Sequence, residues 1–176
     1  MEYAVGAVFG REGFGYLKKQ AQAFNHAAKH CPFLLLADLD QSPCPPQLIA
    51  DWLKRPRHPH LLLRVAVREV ESWLLGDCAS ISAFLSLKKK FVCGAPEQRA
   101  DPKDTLLKLA MSSPRRSMRD AIVWQDDSNG KLYQGPDYNA ALAQYVGECW
   151  DIQKARIVCR SLGRFFVALE RFGKRI

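Results

Sequence analysis

Asp38 and Asp40, in the stretch FLLLADLDQSPCPP (33–46), are the residue types and spacing best suited to chemistry. They close a run of large apolar residues that reads as a strand. Residues two apart in a strand point to the same side, about 6.5–7 Å from each other along the chain, so both carboxylates are expected to project together from the strand's end. Two close carboxylates repel unless a cation lies between them, and a hard divalent ion such as Mg²⁺ relieves that repulsion. In the competing reading Asp38 ends the strand, while Asp40 starts an Asx-turn or caps a helix beginning near Pro45.

A second acidic pair, Glu69 and Glu71, follows the next apolar run in VAVREVESWLL (65–75). On a helix these two would be about 200° apart and could not share a face. The spacing directs Glu71 toward the protein interior and Glu69 toward a cleft or solvent, and either is a candidate to act beside Asp38 and Asp40 at a metal site. Alternatively one favours the positive end of a helix and the other pairs with Arg64 or Arg68. Lys103 and the Arg115-Arg116 pair are candidates to hold a phosphate backbone, or are ordinary surface charges. His58-Pro59-His60 lacks a third ligand, GPDYN (135–139) has the composition of a turn and helix cap, and GREGFG (10–15) matches neither a P-loop nor GxGxxG.

Three strand–helix repeats are expected to position these groups. A strand over about Tyr3–Phe9 leads into a helix with Leu17, Ala21, Phe24 and Ala28 at helical spacing. The continuous apolar run FLLLADLD fits a central parallel strand covered on both faces, and CPPQLIADWLKR fits a short helix with proline in its first turn. HPHLLLRVAV is a further strand, and REVESWLLGDCASISAFLSL one helix weakened at Gly76. From about residue 91 the chain reads as mainly helical: Asp101 caps a helix opening at Pro102, Asn129-Gly130 turns a loop or hairpin, and two helices close the sequence. The prediction is an α/β fold with a small, mostly parallel sheet flanked by helices and a helical C-terminal portion. A single domain, 1–176, would comprise an α/β core at 1–90 and an extension at 91–176.

Composition restricts the partners. With 48% apolar and 25% charged residues the chain can build a core, and no segment approaches the roughly 20 apolar residues of a membrane span. No secretory pattern opens the sequence, so a cytoplasmic location is expected, with six cysteines as reduced, mostly buried thiols. The formal charge of +8 favours a polyanion such as nucleic acid. Residues 111–176 hold 11 Lys/Arg against 7 Asp/Glu, half of that surplus.

A strand ending in Asp-x-Asp within a small α/β layer resembles the Toprim domain of topoisomerases, primases and overcoming-lysogenization-defect nucleases. GREGFGYLKKQAQAFNHAA, LLADLDQ, LLLRVAVREVESWLLGD, DPK and GPDYN are together similar to an uncharacterised bacterial family of Toprim-like proteins, over most of the chain. The resemblance implies Mg²⁺, or Mn²⁺ in its place, on Asp38 and Asp40, and a strand-end glutamate as general acid or base in phosphodiester transfer. Only Glu12 approximates that glutamate. If the first strand here corresponds to the second Toprim strand, the element carrying the glutamate is missing from this chain. Two expectations follow: a metal-dependent nuclease, or a degenerate module that docks nucleic acid or a protein without turnover. A small-molecule phosphotransferase or hydrolase using the same acids is a third.

Overall fold

The computed structural model describes residues 6–8, 13–89, 91–92 and 94–174. They form two compact units, one of residues 1–67 with 161–176, the other of residues 68–160. The division falls between Val67 and Arg68, and the last helix belongs with the first unit.

The first unit is built on two parallel strands, β1 (Phe33–Asp38) and β2 (Leu61–Ala66), paired from Phe33 with Leu61 to Asp38 with Ala66. Helix α1 (Phe14–Ala27) starts after Gly13, whose φ of 81° suits glycine, and α2 (Pro45–Trp52) opens on its two prolines. Leu35, Ala37, Leu61, Leu63 and Val65 form one sheet face and bury against Ala21, Ala28, Leu48 and Trp52. The buried Asn25 fixes the return to β2, donating from Nδ2 to Pro56 O and accepting from His58 N. Helix α9 (Arg160–Gly173) approaches the end of β2, where Val67 N donates to Ser161 Oγ.

Two expectations need correction here. β2 is buried on both faces, but β1 is not: Leu34 is 47% exposed, and only alternate residues of the strand turn inward. The strand expected at Tyr3–Phe9 lies largely outside the described residues, and Gly6–Val8 carry no regular structure. The described sheet of this unit is therefore the β1–β2 pair.

The second unit is mainly helical, with α3 (Val70–Leu75), α4 (Cys78–Phe84), α5 (Pro102–Met111), α6 (Arg116–Ile122), α7 (Tyr138–Glu148) and α8 (Ile152–Val158). An antiparallel hairpin, β3 (Val123–Gln125) with β4 (Leu132–Gln134), turns at Asn129-Gly130. Leu75, Ile81, Leu85, Leu106, Ile122 and Tyr145 are core residues of this unit. The single helix expected after β2 is broken because buried Asp77 caps α4 through Ser80 N and accepts from Asp151 N through Oδ2. The final helix is likewise divided, at Cys159, whose backbone is extended.

Asp101 caps α5 as the sequence suggests, accepting from Asp104 N at 2.7 Å. The cysteines depart from the expected pattern. Cys31, Cys44 and Cys149 are exposed thiols, Cys159 is buried and Cys78 is disulfide-bonded. No helix among the described residues is long and apolar enough to cross a membrane.

Candidate functional site

Asp38 is the last residue of β1, at the carboxyl end of the parallel pair, where open α/β sheets place ligands. The strand stops there. Leu39 is buried and donates to Ala66 O, and Ser42 N then closes a turn onto Leu39 O. Asp40 sits in that turn with φ 47°, a left-handed conformation that Asp tolerates better than bulky residues. Strand alternation therefore does not relate Asp38 to Asp40, contrary to the expectation from spacing. Nor does Asp40 cap α2, because the N-cap position belongs to Cys44, which makes no side-chain capping bond.

Both aspartates are half-buried, and their oxygens are the hard donors that Mg²⁺ or Mn²⁺ takes. Among the described residues no group of three or more His, Cys, Asp or Glu side chains could hold a metal ion. Two carboxylates nonetheless suit Mg²⁺, which commonly binds one or two of them and completes its octahedron with substrate phosphates and water.

In the second unit, three segments meet at Glu71, which Lys103 and Tyr138 both approach. The Lys103 ammonium lies 3.5 Å from Glu69 Oε1 and 3.8 Å from Glu71 Oε1, and its backbone N–H donates to Glu69 Oε2 at 3.0 Å. Tyr138 donates its phenol proton to Glu71 Oε1 at 2.8 Å. The expectation that the glutamates cannot share a face fails for a local reason. Glu69 is not on the helix; it is the extended N-cap residue of α3, while Glu71 lies in the first turn.

The chain positions this cluster through sequence features that look like simple turn chemistry. Asp101 and Pro102 start α5 so that Lys103 falls in its first turn. Gly135 lets the hairpin return close to α6, because a Cβ there would lie 2.6 Å from Ala121 O. Backbone bonds from Gly135 N to Ile122 O and Asp137 N to Ala121 O then deliver Tyr138 to the start of α7.

Glu71 is 4% exposed, and its second oxygen, Oε2, is buried without a hydrogen-bond partner. Burial raises the Glu69 pKa above the ordinary carboxylate value against the lowering effect of Lys103, and Glu71 and Asp101 add to the rise. Burial, then the charge of Glu71, pushes the Tyr138 phenol far above its usual value, so it remains a proton donor.

The other candidates are scattered. Lys103 is engaged with the two glutamates rather than standing clear for a phosphate backbone. Arg115 and Arg116 are exposed at the start of α6, where Arg116 pairs with Asp120. His58 and His60 form a local turn in which His60 N donates to His58 Nδ1. Glu12 lies outside the described residues.

Charge is distributed differently from the reading by thirds of the chain. Residues 1–67 with 161–176 hold 12 Lys/Arg against 6 Asp/Glu, a surplus of +6, whereas residues 68–160 hold 14 against 12, a surplus of +2. The basic excess therefore lies on the unit that carries Asp38 and Asp40. Part of it lines a hollow of about 490 Å³ formed by Lys18, Lys19, Gln22, Asp51, Trp52 and Lys54. None of these three lysines makes an ion pair among the described residues. Sequence reading missed them because α1 and α2 must pack before the lysines become neighbours. Tyr138 falls in GPDYN, which the sequence reads as a turn and helix cap, because its partner Glu71 lies 67 residues away.

Comparison with known proteins finds no matching family model, no matching curated protein and no matching solved structure.

Proposed function

We propose that this chain is a Toprim-like, Mg²⁺-dependent protein that acts on nucleic-acid phosphodiesters, with Asp38 and Asp40 as its metal ligands. One observation carries the reading: Asp38 ends a strand at the carboxyl edge of a parallel pair, and Asp40 follows in a left-handed turn without serving as the cap of α2. Uncommon backbone conformations in non-glycine residues persist where the surroundings enforce them, and they concentrate at functional sites.

Bound Mg²⁺ would polarise a phosphoryl oxygen and help generate the nucleophile. The chain's own part is to present two carboxylates and to attract the polyanion through the +6 surplus of the same unit. Arg115 and Arg116 supply further exposed charge for backbone binding.

The test is cleavage of labelled single- and double-stranded oligonucleotides with Mg²⁺ or Mn²⁺, together with calorimetry of metal binding. Asp38→Asn and Asp40→Asn are expected to abolish both signals while leaving the circular dichroism spectrum unchanged. Cleavage that persists in a chelator, or no divalent binding by the wild type, sinks the proposal.

A second reading, a non-catalytic module that docks nucleic acid or a protein, is favoured by the engagement of Glu69 and Glu71 with Lys103. Their charges already have an internal cation. This reading gives salt-dependent binding with no turnover.

A further inference from the structure

The sheet of the first unit has a second face, opposite the one that packs on α1 and α2. Alternation and register place Leu34, Leu36 and Asp38 of β1 beside Leu62, Arg64 and Ala66 of β2 on that face. Arg64 pairs with Leu36, so it stands one pleat before Asp38 on the neighbouring strand. Arg57, in the loop before β2, donates to Leu63 O at 3.5 Å, and Arg164 lies on α9.

The Arg57 hydrogen bond to the residue before Arg64 brings these two side chains to the same stretch of β2, and the charge of Arg164 acts on Arg64 as well. None of them makes an ion pair among the described residues, and Arg64 Nε is buried with no hydrogen-bond partner. Burial lowers the Arg64 pKa, and the charges of Arg57 and then Arg164 lower it further. Like charges gathered beside a buried donor destabilise the free protein; an oxyanion would relieve both the repulsion and the unmet hydrogen bond. Guanidinium groups suit phosphate in particular, since their planar fork can donate two parallel hydrogen bonds to its oxygens.

We propose that Arg57, Arg64 and Arg164 form a phosphoryl-oxyanion site on the face of the sheet that carries Asp38. The inference deepens the reading of Asp38 and Asp40 as metal ligands, since a phosphate held at Arg64 would lie on the side of the sheet that carries Asp38. The same oxyanion chemistry could be presented by a nucleic-acid backbone or by a free phosphate compound.

The test uses the full chain without divalent ions, so its result is independent of cleavage. Melting temperature is measured in inorganic phosphate and in chloride of matched ionic strength, for wild type, Arg164→Gln and Arg57→Gln. Both substituted residues are exposed. In chloride the variants are expected to melt at or above the wild-type temperature, because a repulsive charge is gone. Phosphate should raise the wild-type melting temperature and lose most of that effect in both variants.

A 12-nucleotide single strand that competes for the site, with affinity roughly tenfold weaker in Arg164→Gln and a salt slope shallower by about 1, identifies nucleic acid as the source. Phosphate protection without competition assigns the site to a free phosphate compound and counts against the nucleic-acid reading alone. Equal phosphate protection in wild type and both variants, or none in wild type, overturns the site. If the site holds but Mg²⁺-dependent cleavage fails, only the metal-site proposal falls.

Discussion

Replacing Tyr138 by Phe tests whether the acid–lysine–tyrosine cluster holds the second unit together. The substitution keeps the ring in its packing site and deletes only the hydroxyl that donates to Glu71 Oε1 at 2.8 Å. That bond is the shortest one made to a carboxylate that is 4% exposed; Lys103 stands at 3.8 Å from the same oxygen, and Oε2 has no partner. A hydrogen bond to a charged group contributes about 1.5–3 kcal/mol, and removing the donor leaves the buried acceptor less satisfied. A loss of about 2 kcal/mol is expected, which for a urea m-value of about 2 kcal/mol/M moves the midpoint down by about 1 M. In a Glu71→Gln background the charge is already absent, so the same substitution should cost only about 1 kcal/mol, a coupling of about 1 kcal/mol. A midpoint shift under about 0.25 M, or equal costs in both backgrounds, would refute the reading of Tyr138 as the donor that satisfies the buried Glu71 Oε1.

Two other consequences can be measured directly. Because burial raises the Glu69 pKa, the native state holds that proton more tightly than the unfolded chain. Its contribution to stability is therefore greatest at low pH and is lost as pH rises from the unfolded value of about 4.3 through the raised folded value. Glu69→Gln should remove this part of the slope in urea midpoints taken between about pH 4 and pH 7, and an unchanged slope would count against it. Burial also pushes the Cys159 thiol up to about 12, with Sγ against Ser72 O, so mass mapping after mild alkylation at neutral pH should find Cys31, Cys44 and Cys149 modified and Cys159 protected until denaturation.

Much of the fold can be read from local pattern. Proline at the start of α2, Asp101 before α5, the Asn129-Gly130 turn and the apolar runs of β1 and β2 each mark an element within a few residues of where it forms. The errors occur where a distant partner intervenes. Asp77 breaks the helix after β2 because its carboxylate also receives Asp151 N, 74 residues away, and no local propensity records that bond. β1 and β2 look equally apolar, yet Leu34 is exposed, since coverage depends on which helices return to which face.

The candidate site divides along the same line. By itself the sequence determined that Asp38 closes an apolar strand with Asp40 two residues on, that the chain carries a formal charge of +8, and that Glu69 and Glu71 follow the next strand. These are statements about neighbours along the chain, where sterics and periodicity act directly. Tertiary structure alone decided that Asp40 lies in a turn rather than on the strand, and that Glu69, Glu71, Lys103 and Tyr138 meet across as many as 69 positions. It also decided that Arg64 stands on the sheet face that carries Asp38, with Arg57 bonded to the neighbouring Leu63 O. Side-chain charge acts through space over a few ångströms, and only packing brings groups from separate segments within that range.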